Sequence, residues 1–190
     1  KPASYTTEQV DRGDITRVIS ATGTIQAVNT VTVGSQVSGT IKRIYVDYNS
    51  QVKKGQLIAE IDPELLSAQA RQAEAEVASS RANLAQAEAG LRQAMREHDR
   101  QKELFASDFV AKSDLDSAET ALATARAQVE SARAGIRSSL ATLSQRRTNL
   151  GYTKVFSPVN GVVTGKQVSE GQTVAASLSA PELFTIAEDL

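Results

Sequence analysis

From Pro63 to Leu150 apolar side chains recur every three to four positions, whereas from Tyr5 to Ile61 and from Tyr152 to Ala187 they tend to alternate with polar ones. A period near three and a half predicts helix and a period of two predicts strand, so a helical insertion divides a β-rich region. In the first flank, Thr30-Val31-Thr32-Val33 and Thr40 to Val46 read as short strands punctuated by Gly34, Gly39 and Gly55. At Asp62-Pro63 the period changes, and Pro63 suits the first position of a helix, with Glu64 at its positive end.

Counting by sevens gives Ala70, Val77, Leu84, Leu91, His98 and Phe105, and the positions three later give Ala73, Ser80, Ala87, Ala94 and Gln101. The second half of the insertion repeats this logic, with Leu115, Leu122, Val129, Ile136, Leu143 and Leu150 interleaved with Ala118, Ala125, Ala132 and Ser139. These are two coiled-coil seams in which large layers alternate with small ones. Between them Ser107-Asp108-Phe109-Val110-Ala111 breaks the heptads, and Ser113 with Asp116 resembles a capping box that would start the second helix. So short a connection makes the helices antiparallel, and about 43 residues at a 1.5 Å rise give an arm of roughly 65 Å. A helical hairpin is predicted.

The flanks resemble each other. Ser35-Gln36-Val37-Ser38-Gly39-Thr40-Ile41 parallels Ser157-Pro158-Val159-Asn160-Gly161-Val162-Val163, and Val52 to Ile58 parallels Val168 to Val174. Each half is too small to bury a core alone, so the two are expected to close one sandwich with the hairpin leaving from the loop that joins them. The fold class is α+β.

Net charge is -1, from 21 basic and 22 acidic residues that are interspersed, so there is no basic stripe of the kind that draws a protein onto nucleic acid or an anionic membrane. Absence of cysteine removes disulfides, thiolate zinc sites and cysteine nucleophiles. No apolar run is long enough for a membrane span or a secretory signal, and the abrupt start at Lys1-Pro2 reads as a trimmed piece of a longer protein.

Pro158-Val159-Asn160-Gly161, with the stretch from Val52-Lys53-Lys54-Gly55-Gln56 to Asp62, resembles a lipoyl or biotinyl domain. Such a domain split by a helical hairpin is similar to the membrane fusion proteins, or periplasmic adaptors, of tripartite efflux pumps. Gly34 to Gly39 and the ending Ala180 to Leu190 look closest to the macrolide-exporter adaptors that serve ABC transporters. The resemblance implies residues 1–30 as a strand region of a β-barrel domain, 31–62 and 151–188 as the lipoyl-like halves, and 63–150 as the hairpin. The strand that would begin the barrel lies within Tyr5 to Gln26, with the rest of the barrel outside this chain.

The same resemblance implies a periplasmic, inner-membrane-attached subunit that links an inner-membrane transporter, of ABC type or alternatively RND type, to an outer-membrane channel of the TolC type. A hexameric ring is implied for the intact protein. The family docks on its channel through an Arg, a Leu four residues later and a Ser seven beyond that, which here fall on Arg100, Leu104 and Ala111. The first two match and the third does not. The loop before Ala180-Pro181, here Ser177-Leu178-Ser179, corresponds to one that projects into the ring's channel, so Leu178 is a candidate apolar constriction.

Other chemistry finds little support. A swinging-arm carrier would need a lysine in the turn joining the halves, yet Asp62 runs directly into Pro63, and Lys53 and Lys54 precede the strand from Leu57 to Ile61. His98, the sole histidine, sits on a helix seam without partners spaced for a metal or a triad. No glycines form a phosphate loop. Neither a catalytic residue nor a cofactor or metal site is assigned. A purely structural coiled-coil scaffold would explain the helices but not the split repeat, and copurification with a transporter separates the two.

Overall fold

Alternating segments at both ends of the chain become short strands, and the heptad stretch becomes two helices. The computed structural model describes residues 1–22, 29–176 and 181–188. The first flank contributes β1 (Thr30–Gly34), β2 (Gly39–Ile44), β3 (Gln51–Val52) and β4 (Leu57–Ile61). The insertion forms α1 (Glu64–Ala106) and α2 (Lys112–Gly151), and the second flank gives β5 (Lys154–Phe156), β6 (Gly161–Lys166), β7 (Thr173–Val174) and β8 (Glu182–Ala187). One sheet runs β1-β8-β6-β3 and the other β5-β4-β2-β7, all neighbours antiparallel. Each sheet therefore takes strands from both sides of the hairpin, and neither half closes a sheet by itself.

Exchanging the halves maps β1 onto β5, β2 onto β6, β3 onto β7 and β4 onto β8, which turns one sheet order into the other. The expected match of Ser35 to Ile41 with Ser157 to Val163 holds in detail. Ser35 Oγ donates to the Val37 carbonyl at 2.5 Å and Ser157 Oγ to the Val159 carbonyl at 2.6 Å, both from buried serines. The ladders Ile41↔Ile61 and Val163↔Ile186 are each followed by an irregularity, at Ile41/Arg43 and Val163/Gly165.

The second expected match is corrected by the strand pairing. Val168 to Val174 occupies the place of Val46 to Val52, not of Val52 to Ile58. Gly171 donates to the Ile41 carbonyl at 2.8 Å and Ile41 to that of Gln172 at 2.9 Å, just as Asn49 donates to Val163 at 2.9 Å and Val163 to Ser50 at 3.0 Å. Asn49, at φ 63°, stands where the other half has Gly171 at φ 81°. The confusion is physical, because the first half makes one turn type twice. The Asp47 N–H donates to Ser50 Oγ at 3.0 Å and the Lys53 N–H to Gln56 Oε1 at 2.9 Å, and both resemble the Ser169 to Gln172 Oε1 bond at 3.0 Å.

Apolar residues of both halves fill the space between the sheets. Ile41, Ile58 and Ile61 meet Val163, Leu183, Phe184 and Ile186, all essentially inaccessible to solvent. Across the seam of the hairpin, Ala70, Ala73 and Val77 of α1 and Ala118, Leu122, Val129, Ser139 and Leu143 of α2 are buried at the spacing expected. Pro63 lies one position earlier than anticipated, as the N-cap, and the preceding Asp62 Oδ1 accepts the Glu64 N–H at 3.1 Å. An aspartate thus satisfies one of the free N–H groups at the helix start.

Residues 5–22 form no strand, although a barrel strand was expected within Tyr5 to Gln26; residues 23–28 lie outside the described residues. A strand exists only against a partner that completes its hydrogen bonds, and residues 1–22 are exposed along their length.

An ion pair also ties the halves together. Lys166 Nζ donates to Asp47 Oδ1 at 2.7 Å, and Glu170 Oε1 accepts the Ile44 N–H at 2.8 Å nearby. The hydrogen bond from Lys166, then that from the Tyr48 N–H, then the lysine charge hold the Asp47 carboxyl below its ordinary value of 3.8. Because folding depresses this pKa, the contribution to stability is complete above 3.8 and fades as pH falls through the lower folded value. Lys166→Met is therefore expected to lower the urea midpoint slightly at pH 7 in low salt. The difference from wild type should vanish in acid or in about 1 M salt, where the Debye length is about 3 Å. A midpoint difference that persists under both conditions would refute the electrostatic account.

Candidate functional site

Among the described residues, no His, Asp and Glu side chains form a group of three able to hold a metal. A groove of about 850 Å³ along one face of the hairpin is lined by small and neutral side chains such as Gln86, Ala87, Gly90, Thr120 and Thr124. It offers a packing surface whose hydroxyls have no acid or base beside them in the lining. His98 is mostly covered within the seam, at 3.2 Å from Asp99 Oδ1 of its own helix. No described helix is long and apolar enough to cross a membrane.

What the fold does create is a long arm with a distinctive end. At the tip α1 closes with a Schellman arrangement, in which the Phe109 N–H donates to the Leu104 carbonyl at 2.9 Å and the Asp108 N–H to that of Phe105 at 3.0 Å. The left-handed position that usually holds glycine is Asp108, at φ 58°. Ala111 then extends the chain at φ -74° and ψ 154° as the N-cap of α2.

Ser113 does not cap the second helix as expected. With α2 starting at Lys112, Ser113 already lies in the first turn, and its carbonyl accepts the Ser117 hydroxyl at 2.7 Å. No side-chain hydrogen bond caps this helix, and the Asp114 N–H turns back to the Ala111 carbonyl at 3.0 Å. Asp114 supplies a negative charge in the first turn instead.

The three tip residues chosen from sequence have different surroundings. Arg100 is exposed and pairs with Glu97 at 3.1 Å, one turn back on its own helix. Leu104 is half-buried, while Phe105, the next heptad position by count, is more exposed. The seam therefore slips by one residue at its last layer. Ala111 is exposed and brings no hydroxyl. One layer back, Gln101 Nε2 donates to Glu97 Oε1 at 2.8 Å, leaving Gln101 Oε1 buried without a partner. The sequence reading passed over Phe109, whose signal was an aromatic in the segment that interrupts the heptads. Ser177, Leu178 and Ser179 lie outside the described residues.

Three comparisons agree with this geometry. The family described as RND MFP, barrel-sandwich hybrid domain, matches residues 29–186. The chain is 39% identical over 185 residues to the macrolide export protein MacA of Escherichia coli O157:H7, covering 97% of this chain and 50% of that protein. It is 40% identical over 182 residues to the pyoverdine export membrane fusion protein PvdR of Pseudomonas putida, covering 96% and 46%. The chain thus spans about half the length of the curated relatives it matches. Among solved structures, MacA from Actinobacillus actinomycetemcomitans superposes with a TM-score of 0.82 at 34% identity, covering 86% of this chain and 50% of that one. With the split sandwich, the inserted hairpin and these matches in agreement, the chain belongs to the RND membrane fusion protein family and comprises its barrel-sandwich hybrid domain.

Proposed function

We propose that this chain is the central part of a non-enzymatic periplasmic adaptor that joins an inner-membrane transporter to an outer-membrane channel for small-molecule export. One observation carries the reading: a two-helix arm of roughly 65 Å projects from a sandwich that neither half could build alone. That architecture transmits position and contact over distance, and it presents no reacting groups. Supporting it, MacA relatives are named for macrolide export, PvdR for pyoverdine export and MdtA for multidrug resistance. An ABC-type transporter is the favoured inner-membrane partner, since the macrolide-exporter adaptors that the sequence resembles serve such transporters and MacA matches over 97% of the chain at 39% identity. An RND-type transporter is the alternative. The outer-membrane partner is a channel of the TolC type, and energy for transport comes from the inner-membrane partner.

The proposal includes a hexameric ring of the intact protein, inner-membrane attachment, and the division into residues 1–30, 31–62, 63–150 and 151–188. Arg100 and Leu104 form the docking pair at the arm's end, with Ala111 beside them in place of a hydroxyl donor. Leu178, between Ser177 and Ser179, is proposed as an apolar constriction in the ring's channel. Exposure of Arg100 at its helix surface supports a guanidinium role in docking, and repetition around a ring lets individually weak contacts bind together.

The test is export in cells that carry the full-length protein with Arg100→Asp, Leu104→Asp or Leu178→Asp. Expression and copurification with the transporter are checked for each. Both tip variants are expected to reduce export at least about tenfold with transporter binding intact, an effect the size of losing a binding hot spot. Leu178→Asp should alter leakage without changing channel crosslinking. Normal export with undiminished crosslinking in the tip variants would reject the docking pair, and unchanged leakage in Leu178→Asp and Leu178→Ala would reject the constriction.

A further inference from the structure

In a Schellman helix end, the residue just beyond the left-handed position usually packs an apolar side chain back onto the last turn. Here that residue is Phe109, which is 78% exposed even though its N–H closes the motif on Leu104. Phe105 beside it is 38% exposed. The backbone that places Phe109 is itself unfavourable, since Asp108 adopts φ 58°, where a residue with a Cβ is strained and glycine is not. A scattered exposed aromatic is unremarkable on a protein surface. This one stands at the far end of the arm, next to a strained residue, and is too exposed to pack closely onto the last turn as its motif normally does.

We propose that Phe109 is the apolar anchor of the tip, its ring entering an apolar groove at the end of the outer-membrane channel, with Asp108 as its positioning residue. This rests on the docking function proposed above and adds a contact to it. The area available decides the kind of occupant. A fully buried Phe covers about 150–250 Å², so two partly exposed rings with half-buried Leu104 and Val110 supply a few hundred Å² per tip. A stable pairwise interface needs about 1,200–2,000 Å² in total. A lone tip-to-tip dimer of this chain falls well short, as does any partner that holds one tip. The occupant is therefore an oligomeric end with a groove for each of several tips, where weak sites sum by multivalency. Arg100, exposed further back on α1, supplies guanidinium donors along the same arm.

The experiment uses the full-length protein and a purified TolC-type channel in nanodiscs as the probe, with thermal unfolding of each variant measured in parallel. Phe109→Ser is expected to weaken channel capture about tenfold or more with an unchanged melting temperature, and Phe109→Leu to retain most of it, as for a buried apolar anchor. Asp108→Gly should melt slightly higher yet bind less well, because the relaxed turn no longer fixes the ring. If Phe109→Ser binds like wild type while Arg100→Asp does not, the anchor is overturned and tip docking stands. If both bind like wild type, tip docking fails as well. If Phe109→Ser melts earlier in proportion to its lost binding, the ring is structural and the proposal is overturned.

Discussion

Phe184→Ala is expected to destabilise the sandwich by about 3–5 kcal/mol, the range for removing a fully buried aromatic ring. Phe184 is 0% exposed and is the largest of the fully buried side chains among the described residues. It lies on β8, an inner strand of its sheet, opposite Val33 of β1 on one side and Lys166 of β6 on the other. It belongs to one buried cluster with Ile41, Ile58 and Ile61 from the first half and Val163 and Ile186 from the second. A domain of ordinary stability, about 5–15 kcal/mol, loses a large fraction of it in this one change. The two helices would dominate circular dichroism and hide the event, so hydrogen exchange followed by mass spectrometry is the suitable readout. Amides of β1 to β4 and β5 to β8 should lose protection together, because the sheets interleave strands from both halves. Loss confined to residues 151–188, with 29–62 still protected, would show that the halves fold independently.

How far the fold could be read from the chain depended on the range of the forces involved. Heptad seams are local and repeated, and every position counted on α2 from Leu115 to Leu150 is at least partly buried. The α+β class and the inserted hairpin followed from the same periodicity and hold. The repeat was half legible. Ser35 to Ile41 could be matched because a buried serine turn and a closely packed glycine recur together, but Val168 to Val174 was matched by its glycine to the wrong copy of a turn. Only the pairing of Val163 with Asn49 and Ser50, residues more than a hundred positions away, distinguishes the copies. Turn chemistry is written in a few neighbouring residues, whereas strand register is set across the fold.

The tip was less legible for a related reason. Spacing places Arg100 and Leu104 one turn apart on α1, and this is true of any helix. It does not reveal that the last seam layer slips, leaving Leu104 half-buried and Phe105 more exposed. Nor does it reveal where α2 begins. Ser113 and Asp116 have the spacing of a cap, yet Ala111 takes the cap position and Lys112 begins the helix, so the serine loses the position from which a hydroxyl reaches a free N–H. A two-residue error at a helix start is small for the fold and decisive for a side chain's role.

Gly161→Ala is expected to cost about 3 kcal/mol, at the upper end of ordinary overpacking penalties. A methyl group at Gly161 would collide with the Ala187 carbonyl oxygen, and it would stand 2.8 Å from the carbonyl carbon and 3.1 Å from Ile186 Cγ2. The obstacle is main chain, held in the ladder between β6 and β8, and it has no rotamer with which to move aside. Its counterpart across the repeat, Gly39, faces Ile61 Cγ2 at 2.6 Å. That contact involves a side chain, although a fully buried one, so Gly39→Ala should cost less, about 1–2 kcal/mol. Gly90 provides the opposite case. It lies inside α1 with no atom within 4 Å of an added methyl, so Gly90→Ala should stabilise the helix by about 0.5–1 kcal/mol. Denaturant unfolding monitored by hydrogen exchange at strand and helix amides separately would report all three. The expected order of stability is Gly90→Ala, wild type, Gly39→Ala, Gly161→Ala. A Gly161→Ala protein as stable as wild type would mean that β6 and β8 separate more easily than their shared ladder implies, and the close packing of β8 against β6 at this glycine would have to be abandoned.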